Sequence, residues 1–327
     1  MLRKQLFSIQ SEADFLSAAL SVFRYQHEHC LIYRKYADML GCDANKIESI
    51  EQLPFLPVEF FKTQEIIAKG YAPQLKFTSS GTTGNQTSTH YVADKSLYEE
   101  SFLRGFEHFV GKTEDFAILG LLPSYLEREN SSLVYMVNNL INRTKNPNSG
   151  FYLSNLEEFA EKLQKLSDKG QKTIVFGVGF ALLDVVEKYS FNLNNVLIFE
   201  TGGMKNRKKE ITREELHSRL SAGFGVETIC SEYGMTELLS QAYSMNGESF
   251  RCPPWMKIIL RDTHDPLSIL PAVNQRGGIN VVDLANLYSC SFIATQDVGK
   301  YRENGSFEVL GRFDYADLRG CNLMIDS

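Results

Sequence analysis

No stretch of this sequence reaches the roughly eighteen consecutive apolar residues that a membrane-crossing helix needs. No secretory leader is expected either: Met1-Leu2-Arg3-Lys4-Gln5-Leu6 starts basic, but Ser8, Gln10, Ser11, Glu12 and Asp14 break the apolar run that should follow. A cytoplasmic protein is expected. Cysteine is sparse, six in 327 residues, and Cys30, Cys42, Cys230, Cys252, Cys290 and Cys321 form no CxxC pair. Neither a zinc site nor a disulfide framework is indicated, and most of these thiols should be reduced and buried. Positive charge is short too: 34 Lys and Arg against 40 Asp and Glu leave a net −6, which argues against nucleic acid as a partner. The one basic run, residues 205–209, reads as a solvated loop entering a helix, with anion steering as the alternative. Internal repeats, low-complexity tracts and Gly/Ser linkers are lacking.

What remains is a globular composition, 43% hydrophobic and 23% charged. Residues 7–39 carry helical spacing through Phe15, Ala18, Ala19, Val22 and Phe23. Pro54 and Pro57 then force an extended path. Residues 75–78 and 87–92 read as two strands of a hairpin, followed by a helix from Asp94 with Leu97, Phe102, Leu103, Phe106, Phe109 and Val110 on one face. Continuous apolar runs at 116–122, 173–178 and 196–199 read as strands buried on both faces. Helices lie between them, with capping boxes predicted at Ser154 with Glu157 and at Thr212 with Glu215. Residues 115–235 thus point to a mainly parallel α/β sheet. Beyond Cys252, short strands between Pro, Gly and Asn turns make the last part β-rich.

Four segments carry chemistry. Ser79-Ser80-Gly81-Thr82-Thr83-Gly84 follows a strand and combines hydroxyls with glycines, which suits phosphate oxygens; it is not the P-loop pattern, since no lysine follows its second glycine. Alone, such a loop is more often an ordinary turn. Tyr233-Gly234-Met235-Thr236-Glu237 follows the apolar Thr228-Ile229-Cys230 and could stack a base, touch phosphate and hold Mg²⁺ through oxygen, or simply cap a helix at Thr236. Thr295-Gln296-Asp297-Val298-Gly299 and Gly311-Arg312-Phe313-Asp314 offer a carboxylate for ribose hydroxyls and an arginine nearby. His90 reads as a packing histidine or as a general base near the loop.

The order of these segments, with Thr201-Gly202-Gly203 between the first two, resembles the adenylate-forming superfamily of acyl-CoA synthetases, luciferases and peptide-synthetase adenylation domains. Within it the chain is similar to LuxE-like acyl-protein synthetases, through Leu53-Pro54-Phe55-Leu56-Pro57, Phe60-Phe61-Lys62, Cys252-Pro253-Pro254-Trp255-Met256, Val282-Asp283-Leu284-Ala285-Asn286 and Arg319-Gly320-Cys321. The resemblance implies the N-terminal-domain fold of that superfamily, with mainly parallel sheets flanked by helices and a β-rich C-terminal part. It places an acyl-activating domain at residues 1–310 and a tail at 311–327, with the mobile C-terminal domain absent or reduced to that tail. It implies ATP and Mg²⁺ as cofactors, with CoA open as an acceptor, a carboxylic acid substrate of fatty type, and an acyl reductase as partner. Ser79 to Gly84 would hold the β- and γ-phosphates, while Gly202 and Gly203 with Tyr233 and Gly234 would line the adenine pocket. Thr236 and Glu237 would serve Mg²⁺ and the α-phosphate, Asp297 and Arg312 the ribose, and Cys321 would take the acyl group as a thioester. The chain departs from acyl-CoA synthetases in having Asn85-Gln86-Thr87-Ser88 where they place Pro-Lys-Gly, and Gln296 where glycine is common.

Overall fold

The computed structural model describes residues 2–79, 87–123, 130–202, 211–270 and 275–313. A short helix α1 (Leu2–Leu6) precedes the predicted helical segment, residues 7–39, which is two helices, α2 (Glu12–His29) and α3 (Leu31–Met39). Ser11 caps α2 by accepting the Asp14 N–H, and Cys30, with extended backbone, separates α2 from α3. The predicted face of α2 is buried, and with it Gln26, whose amide donates to the carbonyls of Asn286 and Leu287 and to Ser291 Oγ. That polar anchor, satisfied on every arm, ties the first helices to the C-terminal sheet.

Strand β1 (Leu56–Pro57) and helix α4 (Phe60–Thr63) lead to the hairpin of β2 (Leu75–Thr78) and β3 (Thr89–Val92), in which Phe77 faces His90 and Thr78 faces Thr89. Helix α5 (Lys95–Phe109) starts at Asp94, whose side chain accepts the Ser96 N–H. Then β4 (Ala117–Leu121), α6 (Ser132–Thr144), β5 (Gly150–Phe151), α7 (Leu156–Asp168), β6 (Thr173–Gly177), α8 (Gly179–Val186), β7 (Val196–Glu200), α9 (Arg213–Phe224), β8 (Cys230–Tyr233) and β9 (Ala242–Ser244) follow. They build a sheet ordered β5-β4-β6-β7-β8-β9, parallel except for β9. The cap of α7 is Asn155, accepting the Glu158 N–H, one residue later than the predicted Ser154. Thr212 caps α9 as predicted.

The β-rich part is a second sheet of β10 (Met256–Arg261), β11 (Arg276–Asp283), β12 (Phe292–Tyr301) and β13 (Phe307–Arg312). Ten-residue β12 is its hub: β11 and β13 pair with it antiparallel, and β1 adds to it in parallel. One apolar cluster joins α2, α5, α6 and both sheets, and a second lies beneath α7, α8 and α9.

This topology fixes where a ligand can sit. From β4 the chain steps to β5 on one side and then returns to β6 on the other, so the connections diverge at the C-terminal ends of the parallel strands. Open α/β sheets bind ligands there. Strand β8 ends at that rim and points Tyr233 at the second sheet, where β12 and β13 supply the facing side chains.

Candidate functional site

Tyr233 is the last residue of β8, Asp297 lies in β12, and Arg312 ends β13 directly opposite Asp297 in register. The Tyr233 hydroxyl donates to Asp297 Oδ2 at 2.8 Å, and Arg312 Nε donates to Oδ1 at 3.1 Å. Three segments far apart in sequence therefore meet on one carboxylate. Asp297 is buried and Arg312 is exposed, so the pair runs from the joint between the sheets out to its rim. Burial, and then the Asp297 carboxylate, push the Tyr233 phenol well above its usual range, which keeps it a donor. Its ring is packed between Phe250 and Phe307 at 5.9 and 5.7 Å.

Glu237 is also buried. Burial raises its carboxyl above the ordinary range; the Ser88 hydroxyl, its own backbone N–H and the Arg312 charge pull it back down, while Asp297 opposes them. Glu237 thus shares the field of Asp297 and Arg312. Ser88 connects it to the hairpin: Ser79 and Ser88 bond through Ser79 N–H to Ser88 O and Ser88 N–H to Ser79 Oγ, both at 3.0 Å. The first residue of the Ser/Thr/Gly loop is therefore anchored beside Glu237.

The turn carrying Thr236 and Glu237 is held from behind. His90 Nδ1 donates to the Thr236 carbonyl at 2.9 Å, and Asn286 Nδ2 to the Glu237 carbonyl at 2.8 Å. Asp283 Oδ2 accepts the N–H groups of Leu239 and Ser240 at 2.8 and 2.9 Å. Gly234 is tight, since a Cβ there would come within 2.4 Å of Glu232 Oε1. Gly202, just past β7, is exposed with φ of +81°, a conformation that favours glycine.

Of the residues singled out from sequence, Ser79, Tyr233, Gly234, Thr236, Glu237, Asp297 and Arg312 gather at this joint, with Gly202 at the end of the neighbouring parallel strand. Ser80, Gly81, Thr82, Thr83, Gly84, Gly203, the basic run 205–209 and Cys321 lie outside the described residues. Ser88, Asp283 and Asn286 received no role from sequence, and His90 reads there first as packing. A signal for the hairpin residues existed: Ser88, His90 and Val92 alternate along one strand, all three buried. A buried serine and histidine in such a row need polar partners.

A second polar cluster lies at the ends of β7 and β8. Arg213 Nη2 donates to Ser231 Oγ at 3.0 Å and stacks 4.7 Å over the Phe250 ring. Burial and then the Glu200 carboxylate push Glu232 up to about 8, whereas burial and then Arg213 hold His217 down to about 4. Sequence pattern gives no sign of this cluster.

The sequence profile of the family described as acyl-protein synthetase, LuxE, matches residues 7–327. The chain belongs to this family. No curated protein matches the sequence. Among solved structures, this LuxE-family chain resembles 2-hydroxyisobutyryl-CoA ligase in an open conformation in complex with 2-HIB-AMP and CoA, with 12% identity and a TM-score of 0.65, over 94% of this chain and 76% of that one. The same ligase in the postadenylation state with 2-HIB-AMP gives a TM-score of 0.66, also at 12% identity, over 94% of this chain and 69% of that one. ATP-bound MatB from Rhodopseudomonas palustris gives 0.55 at 19% identity over 75% of this chain, and the match spans 49% of MatB. At these identities the likeness is one of fold. It is the α/β fold of the N-terminal domain of adenylate-forming ligases, as the motif order led us to expect, and the family makes the LuxE-type chain a ligase. No helix among its described residues is long and apolar enough to cross a membrane.

Proposed function

We propose that this chain activates a fatty or related carboxylic acid with ATP as an acyl adenylate, and then carries the acyl group on Cys321 as a thioester for delivery to an acyl reductase. The observation that carries the first half is the meeting of Tyr233, Asp297 and Arg312 on one carboxylate beside Glu237. In this reading Asp297 accepts the ribose hydroxyls, Arg312 lies along the sugar and phosphates, and Ser79 to Gly84 cradle the β- and γ-phosphates with hydroxyls and backbone N–H groups. Gly202 and Gly203, with Tyr233 and Gly234, flank the base.

Among the described residues no three His, Cys, Asp or Glu side chains cluster as a metal site. Mg²⁺ needs no such cluster, because it is typically held by one or two carboxylates plus substrate phosphates and water. The single Glu237 carboxylate, with the hydroxyl of Thr236 next to it in sequence, fits that donor set. Bound there, Mg²⁺ would neutralise charge on the transferring phosphates. The chain's own groups do the positioning: a substrate carboxylate oxygen attacks the α-phosphorus in line, and the bond to the bridging oxygen of pyrophosphate breaks. The Cys321 thiolate then attacks the acyl carbonyl and AMP leaves.

Acid-dependent ATP–pyrophosphate exchange, run with acids from acetate to palmitate and with aromatic acids, tests the first half. Exchange in wild type and its loss in Glu237→Gln is the expected outcome; no exchange with any acid would sink the reading. For the second half, ATP and the best acid alone should label the chain with an acyl group that neutral hydroxylamine removes. Cys321→Ala should abolish that label. Full labelling of the alanine variant, or release of AMP only when CoA is present, would assign the acceptor elsewhere.

A further inference from the structure

His90 and Asn286 each commit one polar end to the turn that bears Thr236 and Glu237, and each has a second polar end that this turn does not use. The Thr236 carbonyl, 2.9 Å from His90 Nδ1, can only accept. The ring proton therefore sits on Nδ1 and Nε2 is a bare lone pair. The Glu237 carbonyl, 2.8 Å from Asn286 Nδ2, fixes the amide in the same way and turns Oδ1 to the other side. Both residues are wholly buried, and neither Nε2 nor Oδ1 meets a donor among the described residues. Both line one cavity of about 10 Å³, together with Leu97, Leu239 and Ala285. Two acceptors cannot bond each other. One water brings two donors, and a space of this size holds about one water.

We propose that His90 and Asn286, bridged by one buried water that donates to His90 Nε2 and Asn286 Oδ1, are positioning residues that hold the Thr236-Glu237 turn in register with the bound metal and nucleotide. The proposal rests on the role given above to Thr236 and Glu237. Its physical content is that two consecutive carbonyls are pinned from two separate elements, β3 and the turn after β11, while Asp283 takes the next two N–H groups. A backbone held at four successive points leaves its side chains few directions. The His90 ring is itself braced edge-on by Phe61 at 5.6 Å. Groups that orient metal ligands in this way are typically worth about 10- to 100-fold in metal affinity or activity.

The test has two independent readouts on the full chain. In metal-free wild type, long-range ¹H–¹⁵N spectra should show His90 with its proton on Nδ1, and a cross-relaxation peak should connect the ring to a bound water. Mn²⁺ binding in the presence of a non-hydrolysable ATP analogue, followed by electron paramagnetic resonance, should weaken about 10- to 100-fold in His90→Gln and Asn286→Ala. In His90→Asn, whose amide nitrogen stands in for Nδ1, affinity should return to within about fivefold of wild type, and binding of the analogue without metal should barely change in any variant. A ring protonated on Nε2, the absence of a water contact, or folded His90→Gln and Asn286→Ala variants with wild-type Mn²⁺ affinity overturns the proposal. Should the variants fail to fold, the wild-type ring spectra decide. Wild type that shows the expected ring and water but binds no metal with the nucleotide analogue defeats the role given to Glu237, whereas normal metal binding with the wrong ring spectra defeats the clamp alone.

Discussion

Replacing Asp283 with asparagine should cost about 2 kcal/mol of folding stability, although the two side chains have nearly the same shape. Asp283 is fully buried at the end of β11 and accepts four donors. Oδ2 takes the Leu239 and Ser240 N–H groups at 2.8 and 2.9 Å; Oδ1 takes the Ser240 hydroxyl at 2.5 Å and the Ala285 N–H at 3.1 Å. Burial raises the carboxyl and these donors pull it back, Ser240 first. An amide offers one acceptor oxygen. If its nitrogen replaces Oδ2, two backbone N–H groups lose their partner; if it replaces Oδ1, the Ser240 hydroxyl can turn to accept but the Ala285 N–H cannot. A buried donor without a partner costs about 1–3 kcal/mol, so the second orientation wins. The lower desolvation of a neutral amide returns part of the cost. Asp283→Ala, which strands all three N–H groups, should lose about 4–6 kcal/mol.

The protein carries its own local probe for this variant. Trp255, the only tryptophan, donates through Nε1 to Ser240 Oγ and to Ser101 Oγ, both at 3.0 Å. Urea unfolding followed by Trp255 fluorescence and by far-ultraviolet circular dichroism measures the loss, and the native emission reports whether the Ser240 hydroxyl has turned. An asparagine variant within about 0.5 kcal/mol of wild type, with unchanged emission, would mean that Asp283 already carries a proton, and the four-donor account would be wrong.

Protonation of His90 and His217 should oppose folding in acid. Both are held down to about 4 by burial, so between pH 6.5 and 4 the unfolded chain binds protons that the folded chain refuses, and stability falls as pH is lowered. For the buried His90 the loss approaches about 3 kcal/mol at pH 4, and for the partly exposed His217 it is smaller. Glu232 acts in the opposite sense: pushed up to about 8, it keeps its proton in the folded state after the unfolded carboxyl has lost one, so its contribution declines as pH rises from 4.5 to 8. Urea unfolding of His217→Gln and Glu232→Gln against wild type at pH 4.5, 6.5 and 8 separates the two slopes, and curves parallel to wild type would contradict them. Arg312→Ala should leave stability within about 1 kcal/mol, because its side chain is 59% exposed. The same variant should raise the KM for ATP about tenfold through loss of a charge-assisted contact. An unchanged KM in pyrophosphate exchange would remove Arg312 from the nucleotide site.

The parallel sheet was legible because buried parallel strands read as unbroken apolar runs, and 116–122, 173–178 and 196–199 are such runs. The hairpin and the β-rich end were legible from alternation and turn residues. Boundaries were less so: Cys30 breaks the first helical segment with a single extended residue, and the α7 cap moved from Ser154 to Asn155 because both side chains suit the position. The four motif segments were visible as composition, but the meeting of the last three at Asp297 depends on register between β12 and β13, which no local pattern encodes. What His90, Asp283 and Asn286 hold stayed hidden for a related reason. Each acts on a backbone atom of another segment, and a backbone partner leaves no signature in the sequence of that segment.

In the proposed reading, the charges at the joint give a bound nucleotide a need for a cation. Among the described residues, Asp297 and Glu237 bring two carboxylates to the site and Arg312 a guanidinium, while the buried Arg261 guanidinium also feels the Asp297 charge. Arg312 is already bonded to Asp297, so Glu237 has only the Ser88 hydroxyl, its own N–H and a share of the same guanidinium against its burial. A triphosphate placed beside that carboxylate would meet like charge, and at about 4 Å each such pair costs on the order of 4 kcal/mol at the effective dielectric of a protein surface. Protonation of Glu237 relieves one repulsion but leaves the phosphates unbalanced. A divalent cation between carboxylate and phosphates converts the same geometry from repulsive to attractive, and it does so only where the turn keeps the Glu237 carboxylate in place. In the proposed reading, the hydrogen bonds that His90, Asn286 and Asp283 make to residues 236–240 are what would hold one buried carboxylate in place for metal-assisted chemistry.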